Sequence, residues 1–446
     1  MKVTSSYKVE MLQANRKTFQ ETVDIYHAAL SFLLEVYESE WAALSAIERT
    51  KERFNFAEKL VHSTKDNAAK YDFDIRFFKM PSYLRRAAIQ AALGAVSSYH
   101  SNHGNWGKAG KKGAEPKLAL ERNAMPVFYN KEMYRPGDTP DSAYLKLFRS
   151  GDWVWVKVRF RPTDVKYIQK RWSHTKASAP ALEKHYGKYY LRFAFEEQVL
   201  LSDAPAAERR ICAVDLGLNS DAVCSIMCAD GTILARKFIN FPSEKDHLYR
   251  VLNRIKRFQR EHGSKDVRSF CGYARRLNDE LAKKIAAAIT DFAVLYSVDC
   301  IVFERLDFRG KKAKGSKAQK IGMWRKNGIQ QYVEHKAHRC GIRISRICAW
   351  GTSRLAYDGS GTLQRDENNH ALATFSNGKR YNCDLSASYN IGARYFIREL
   401  LKPLPAKVRS QLEAEVPQVG RRTSCTLSTL WQISAVLQLH SAGMVA

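Results

Sequence analysis

Three carboxylates stand where a side chain could do chemistry. Asp215 closes the apolar run Ile211-Cys212-Ala213-Val214, and Leu216, Gly217, Leu218 and the turn-prone pair Asn219-Ser220 follow it. Glu304 closes a second run, Cys300-Ile301-Val302-Phe303. Asp384 heads a helical pattern continued by Ala387, Asn390, Ile391 and Arg394. Short apolar runs bounded by turn signals read as buried strands. The first two acids are therefore expected at strand ends, where a carboxylate is rigidly held and suited to binding a metal. Taken singly, each has a plainer use. Asp215 could cap a turn, and Asp384 is favoured by a helix dipole worth about 0.3–1 kcal/mol. Brought to one edge, three acids would repel one another unless a cation lay among them. Oxygen-only ligands suit Mg²⁺ or Mn²⁺, not zinc. Two such ions about 3.5–4 Å apart can activate a water and stabilise the leaving oxygen of a phosphodiester.

The elements needed to position these acids can be read around them. Ala222 to Met227 is apolar again and predicts a strand paired through the turn after Asp215, and a hairpin follows around Asp230-Gly231. A helix then carries Leu248, Val251, Leu252, Ile255 and Phe258 on one face, with Arg254, Lys256, Arg257 and Arg260 on the other. A second long helix presents Leu277, Leu281, Ile285, Ala288 and Phe292. Beyond Glu304, residues 305–326 are strongly basic, with Arg309, Lys311, Lys312, Arg325 and Lys326 against the single acid Asp307. Following a strand-end carboxylate, this run is expected to face nucleic acid. A helix through Ile329, Tyr332 and Val333 leads to the strand Ile342 to Ile347.

The N-terminal half has a different texture. Residues 2–12 alternate loosely as one strand, and residues 14–104 read as a helical block with apolar faces at Val23, Tyr26, Leu30 and Leu33 and at Leu84, Ala88 and Ala92. The Gly/Lys-rich stretch Gly104 to Gly113 is expected to end that block as a basic linker. Short aromatic strands follow at Val127–Tyr129, Tyr144–Phe148, Trp153–Phe160 and Tyr189–Phe195. They are expected to close with the first strand into a barrel, its aromatics mostly core.

Composition narrows the partners. The 446 residues suggest two or three domains, and an apolar fraction of 45% excludes a disordered chain. A net charge of +28, from 73 Lys plus Arg against 45 Asp plus Glu, repels itself unless something anionic neutralises it. Nucleic acid is the leading partner, because each phosphate can pair with a Lys or Arg. No run of about 18 apolar residues is present, which argues against a membrane-spanning helix. The first residues lack the apolar core of a signal peptide, and nine dispersed cysteines read as reduced thiols, so a cytoplasmic protein is expected.

Residues from about 210 to 400 resemble the split RuvC nuclease domain of the transposon-encoded TnpB proteins and the related type V CRISPR effectors. The resemblance is carried by Ala213-Val214-Asp215-Leu216-Gly217, by Ile301-Val302-Phe303-Glu304-Arg305-Leu306 and by Asp384-Leu385-Ser386-Ala387-Ser388-Tyr389-Asn390-Ile391. It implies an α/β RNase H-like (RuvC) nuclease domain preceded by a β-barrel wedge domain with an inserted helical recognition domain. The expected boundaries are 1–13 for the first barrel strand, 14–113 for the recognition block and 114–209 for the rest of the barrel. The nuclease would span 210–348 and 381–405, with a zinc-ribbon-like insertion at 349–380 and a C-terminal helix and tail at 406–446, to which no role is assigned. The implied activity is RNA-guided cutting of double-stranded DNA beside a short adjacent motif, by a prokaryotic monomer or dimer that joins the nucleoid when on target. A guide RNA and two Mg²⁺ or Mn²⁺ ions would be needed, with Asp215, Glu304 and Asp384 as catalytic and metal-binding acids. Protein of this kind holds the heteroduplex by its backbone and shape.

One departure from that family matters. Its two zinc-binding Cys pairs fall, in this chain, on Ala356, Gly359, Thr374 and Asn377. No zinc is expected; the loop Tyr357 to Lys379 is expected to hold itself as a hairpin turning at Asp366 to His370. Cys348 and Cys383 lie nearby and are expected as buried thiols. Arg354 is expected near the catalytic edge, within reach of a scissile phosphate. Two other readings stand beside this one. An actin-like phosphotransferase also opens on a strand, an Asp and a Gly, but no later Gly-rich phosphate motif follows here, and the charge does not suit it. An RNA-guided repressor without cleavage would have lost an acid, and all three are present.

Overall fold

The computed structural model describes every residue except 13–15, 121–123, 186, 218–219, 264–266, 306–324 and 444–446. It divides into two compact units, residues 2–197 and residues 198–446 with Met1.

In the first unit, β1 (Lys2–Leu12) is followed by five helices: α1 (Arg16–Ser39), α2 (Trp41–Ala46), α3 (Thr50–Val61), α4 (Phe73–Arg76) and α5 (Ser82–Lys108). Then come β2 (Tyr134–Pro136), β3 (Ser142–Arg149), β4 (Asp152–Phe160), α6 (Pro162–Trp172), β5 (Ala181–His185) and β6 (Lys188–Gln198). The six strands form one sheet in the order β2-β3-β4-β1-β6-β5. The strand before the helices thus pairs with strands after them, and the helical block is an insertion. Residues 126–128 bond to the β5 edge, through Phe128 N to Pro180 O and Leu182 N to Pro126 O, and β2 follows a few residues later at the other edge. One short segment therefore meets both edges of the sheet.

Ser150 and Gly151 join β3 to β4 with φ of 50° and 89°. Positive φ at both central residues is the tight hairpin turn whose twist matches its strands. One apolar core joins Phe19, Tyr26, Leu33 and Tyr37 of α1 to Leu145, Trp153, Leu191 and Phe193 of the sheet. Trp153, Phe160, Trp172, Tyr189, Phe193 and Phe195 are buried, so most of these aromatics serve the core. The linker expected at Gly104 starts later. α5 runs on through Gly104 and Gly107 to Lys108, and the chain leaves the helix at Gly110, where φ is 71°.

The second unit is built on β7 (Ile211–Asp215), β8 (Ala222–Met227), β9 (Ile233–Ile239), β10 (Cys300–Arg305) and β11 (Arg343–Cys348), in the order β11-β10-β7-β8-β9. β7, β8 and β9 form an antiparallel meander, whereas β10 runs parallel to β7 and β11 parallel to β10. Helices α7 (Pro242–His262) and α8 (Arg268–Leu295) connect β9 to β10, and α9 (Lys326–Arg339) connects β10 to β11. After β11 come the small strands β12 (Gln364–Arg365), β13 (Leu372–Thr374) and β14 (Arg380–Asn382), then α10 (Cys383–Leu401), α11 (Ala406–Glu415), a short 3₁₀ turn (Pro417–Gly420) and α12 (Leu427–Gly443).

The period of two along a strand sorts the side chains. Cys212, Val214, Ile301 and Phe303 pack against α8 and α9. Ile211, Ala213, Cys300 and Val302 pack against α10 and the C-terminal segment, including Val419, Leu427, Leu430 and Ile433. α10 lies very close to the sheet. A Cβ on Gly392 would come within 2.8 Å of the Met227 side chain and 3.3 Å of Ala213 Cβ. The expected hairpin at 366–370 is present: β12 pairs with β13 across it, and Asp366 accepts from the amides of Asn368 and Asn369. All nine cysteines are free. Cys383 is buried as expected, but Cys348 is exposed, because β11 ends there and the chain turns outward at Ala349-Trp350. Among the described residues no helix is long and apolar enough to cross a membrane.

Candidate active site

Alternation decides where the acids point. Asp215 continues the series Ile211, Ala213, and Glu304 continues Cys300, Val302; both therefore emerge on the α10 face. Phe303 pairs with Val214, so the two acids lie one step further along adjacent parallel strands. Neighbouring strands are about 4.8 Å apart. Asp384 approaches from the helix: Asn382 is the N-cap of α10, its side chain accepting from Leu385 N at 2.9 Å, which puts Asp384 in the first turn. A Cβ at Gly217, just past β7, would come within 3.9 Å of Asp384 Oδ2. The three sequence-identified acids therefore share one edge.

Their electrostatics agree. Burial pushes Asp215 well above the usual carboxylate range, and the charges of Glu304 and Asp384 push it further, against relief from Arg365. Burial also raises Glu304, opposed by the Thr352 hydroxyl and the charge of Arg394. Asp384 is raised by burial and eased by the Cys383 thiol and Arg365. Among the described residues no group of three or more His, Cys, Asp and Glu is drawn in to metal-ligand spacing. The acids face one another as repelling charges. Their hard oxygen donors and mutual repulsion fit Mg²⁺ or Mn²⁺.

The supporting side chains were less legible. Thr352 Oγ donates to Glu304 Oε1, and Gln330 Nε2 donates to Glu304 O at 3.0 Å. Asn390, buried on α10, donates to Thr352 O at 3.1 Å and Leu355 O at 2.9 Å while accepting from Leu427 N. Arg394 donates to the carbonyls of Cys348, Trp350, Thr423 and Cys425. It thereby ties the loop carrying Thr352 to the C-terminal segment. Arg354 lies exposed on the turn after Gly351. The cation whose charge reaches Asp215 and Asp384 is Arg365 on β12, which nothing in its local sequence singles out. Arg325 pairs with Asp279 of α8 at 3.2 Å, and Lys326 opens α9. Arg309, Lys311 and Lys312 lie outside the described residues.

Comparison with solved structures extends this. The Cas12f1–sgRNA–target DNA complex, solved by cryo-EM, matches with a TM-score of 0.53 at 15% identity over 84% of this chain and 81% of that one. The mini-RNA-guided endonuclease CRISPR-Cas_phi3 matches with a TM-score of 0.51 at 10% identity over 90% and 93%. The chain shares the fold of compact type V CRISPR effectors. The likeness to these effectors covers more of the chain than either unit alone. A family model described as the Aq_aa04 family matches residues 4–149. No curated protein sequence matches.

Proposed function

We propose that the protein is a TnpB-like, RNA-guided DNA endonuclease that uses a single RuvC-type site. The observation that carries this is the convergence of Asp215, Glu304 and Asp384 at one edge of a five-stranded sheet, where burial and the mutual repulsion of the acids raise Asp215. Three antiparallel strands followed by two parallel ones are the arrangement expected of an RNase H-like nuclease domain. On this reading the inserted helices would be the recognition domain and the six-stranded sheet the wedge domain.

Guide RNA and target double-stranded DNA are the partners this reading requires, and the charge of +28 suits both. Asp215, Glu304 and Asp384 are the residues that would hold Mg²⁺ or Mn²⁺. Such ions, when bound in pairs, lower the pKa of water and stabilise the oxygens of an in-line displacement. The chain's own residues prepare the site. Thr352 fixes one oxygen of Glu304. Arg365 adds positive charge beside Asp215 and Asp384, where a phosphate would approach. The closely packed α10 and β7 keep the acids from relaxing apart. A cytoplasmic prokaryotic setting, on the nucleoid when engaged, goes with this reading.

Asp215→Ala, assayed with guide RNA and a matched duplex, is expected to abolish Mg²⁺-dependent cutting while sparing DNA binding. Cutting at the wild-type rate by that variant would overturn the assignment.

A further inference from the structure

The segment between β11 and α10 has two tight turns where the resemblance implies zinc-binding knuckles. The first is closed by Ala356 N to Gly361 O at 2.9 Å and Gly359 N to Ala356 O at 3.2 Å. The second is closed by Phe375 N to Lys379 O and Gly378 N to Phe375 O, both at 2.9 Å. Three of the four expected ligand positions do not fit a metal. Ala356 is buried and carries no donor. Gly359 has φ of 79°, and a Cβ there would meet Ser428 Oγ at 3.0 Å. The Asn377 amide is already committed to Asp358 at 3.0 Å.

Side chains from both turns meet between them. Asp358 Oδ1 accepts from Ser360 N at 3.0 Å and Ser360 Oγ at 2.7 Å, while its Oδ2 accepts from Asn377. Asp358 therefore cross-links the two turns. The ring of Tyr357 packs on Phe375, Tyr381 and Tyr389, with centroids 5.7, 5.1 and 5.2 Å away. Lys379 Nζ donates to Tyr357 Oη at 2.6 Å and lies 5.2 Å over the Tyr381 ring. The Tyr357 backbone is fixed on both sides, donating to Ser386 Oγ at 3.1 Å and accepting from Ser428 N at 2.9 Å. Hydrogen bonds to a charged group and a desolvated aromatic cluster are each stronger than their neutral, exposed counterparts.

What these contacts hold matters for chemistry. β12 carries Arg365, and β14 runs without a break into Asn382, Cys383 and Asp384. A shift of the turns would move one cation and one acid of the candidate site together.

We propose that Tyr357, Asp358, Asn377 and Lys379 form a metal-independent clasp that positions Arg365 and Asp384, in place of a structural zinc. The positioning role rests on the nuclease reading above; the clasp itself does not. The test uses the full chain with its guide RNA and the variants Asp358→Ala, Lys379→Met and Lys379→Arg. Four quantities are measured: single-turnover DNA cutting, guide–target binding, proteolysis within residues 356–382 and zinc content. Asp358→Ala and Lys379→Met should each slow cutting by about 10–100-fold, as loss of an outer-shell partner does. Binding should be unchanged and cleavage by protease at the turns faster, with Lys379→Arg recovering most of the rate. Wild-type protein stripped by chelator should regain full activity on Mg²⁺ alone. Stoichiometric zinc retained through mild chelation overturns the clasp. So does a protease pattern in both variants that matches wild type. Binding that falls in step with cutting overturns the positioning role. Should wild type cut no DNA with any guide, the nuclease reading fails, and zinc content and proteolysis still decide the clasp.

Discussion

Glu10 and Glu304 are buried to nearly the same depth, 6% and 7% exposed, on strands of the two sheets. Glu10 accepts from Lys188 Nζ at 2.6 Å, and its other carboxylate oxygen pairs with Arg161. The Lys188 bond and the Arg161 charge together hold its carboxyl below the usual range against the pull of burial. Among the described residues Glu304 is met by the Thr352 hydroxyl and by the charge of Arg394, whose guanidinium donates to four carbonyls, and its carboxyl is raised. A buried acid with its own cations is part of the scaffold. A cluster of buried acids whose repulsion outweighs the cations found near it among the described residues costs stability, and such a cost persists where function repays it.

Several experiments press on this contrast. The largest effect should come from removing residues 417–446. Val419, Cys425, Leu427, Leu430 and Ile433 are all buried against α10 and the sheet. At about 1.5–3 kcal/mol for each large apolar side chain, their loss approaches the whole stability of a typical domain. The five-stranded unit should then lose its melting transition while that of the six-stranded unit persists. Loss of both transitions together would show that the two cores do not behave separately, and survival of both would show that the segment is dispensable.

Mg²⁺ should come next. Titrated into wild type, it should stabilise the five-stranded unit against melting, by about 2.7 kcal/mol at a hundred times its dissociation constant. The same titration of Asp215→Asn should stabilise it far less. An equal gain in both proteins would place the ion elsewhere.

Neutralising the acids in the absence of divalent ions should have opposite signs in the two units. Glu10→Gln leaves Arg161 and Lys188 unpaired and should destabilise by about 1–2 kcal/mol, less than a fully buried pair because both partners are half exposed. Asp215→Asn relieves repulsion and should raise the melting temperature, by about 2–4 °C for each kcal/mol regained. If both substitutions destabilise, Asp215 is a structural acid.

The smallest effect concerns pH. Because Glu10 is depressed in the folded state, its contribution is fully present above its unfolded value of 4.5 and is lost as pH falls through the lower folded value. Wild type should therefore lose stability relative to Glu10→Gln below pH 4.5. Parallel stability curves for the two proteins through that window would remove Glu10's role.

The sequence exposed some of this and concealed the rest for physical reasons. Asp215 and Glu304 end uninterrupted apolar runs, and Asp384 follows a capping Asn, so local pattern sufficed for all three. Arg365 lies in a two-residue strand with no periodicity, and its reach toward the acids comes from the folding-back of β12–β14. Thr352 matters through one hydroxyl that a loop happens to aim. The C-terminal segment gives no clear pattern because its buried positions are split between a 3₁₀ turn, the loop after it and the start of α12. α5 overran its expected end because glycines within a long helix are tolerated when neighbouring residues sustain it.

The sheet order also bears on how the protein matures. The meander of β7, β8 and β9 pairs residues close in the chain, whereas β10 reaches β7 only after α7 and α8 have been spanned. Closing that long loop costs entropy before any contact repays it, and such pairings form slowly. During refolding, sheet signal from the meander should appear before Glu304 arrives beside Asp215. The protein would pass through a stage in which it is folded in part and the three acids have not yet been brought together.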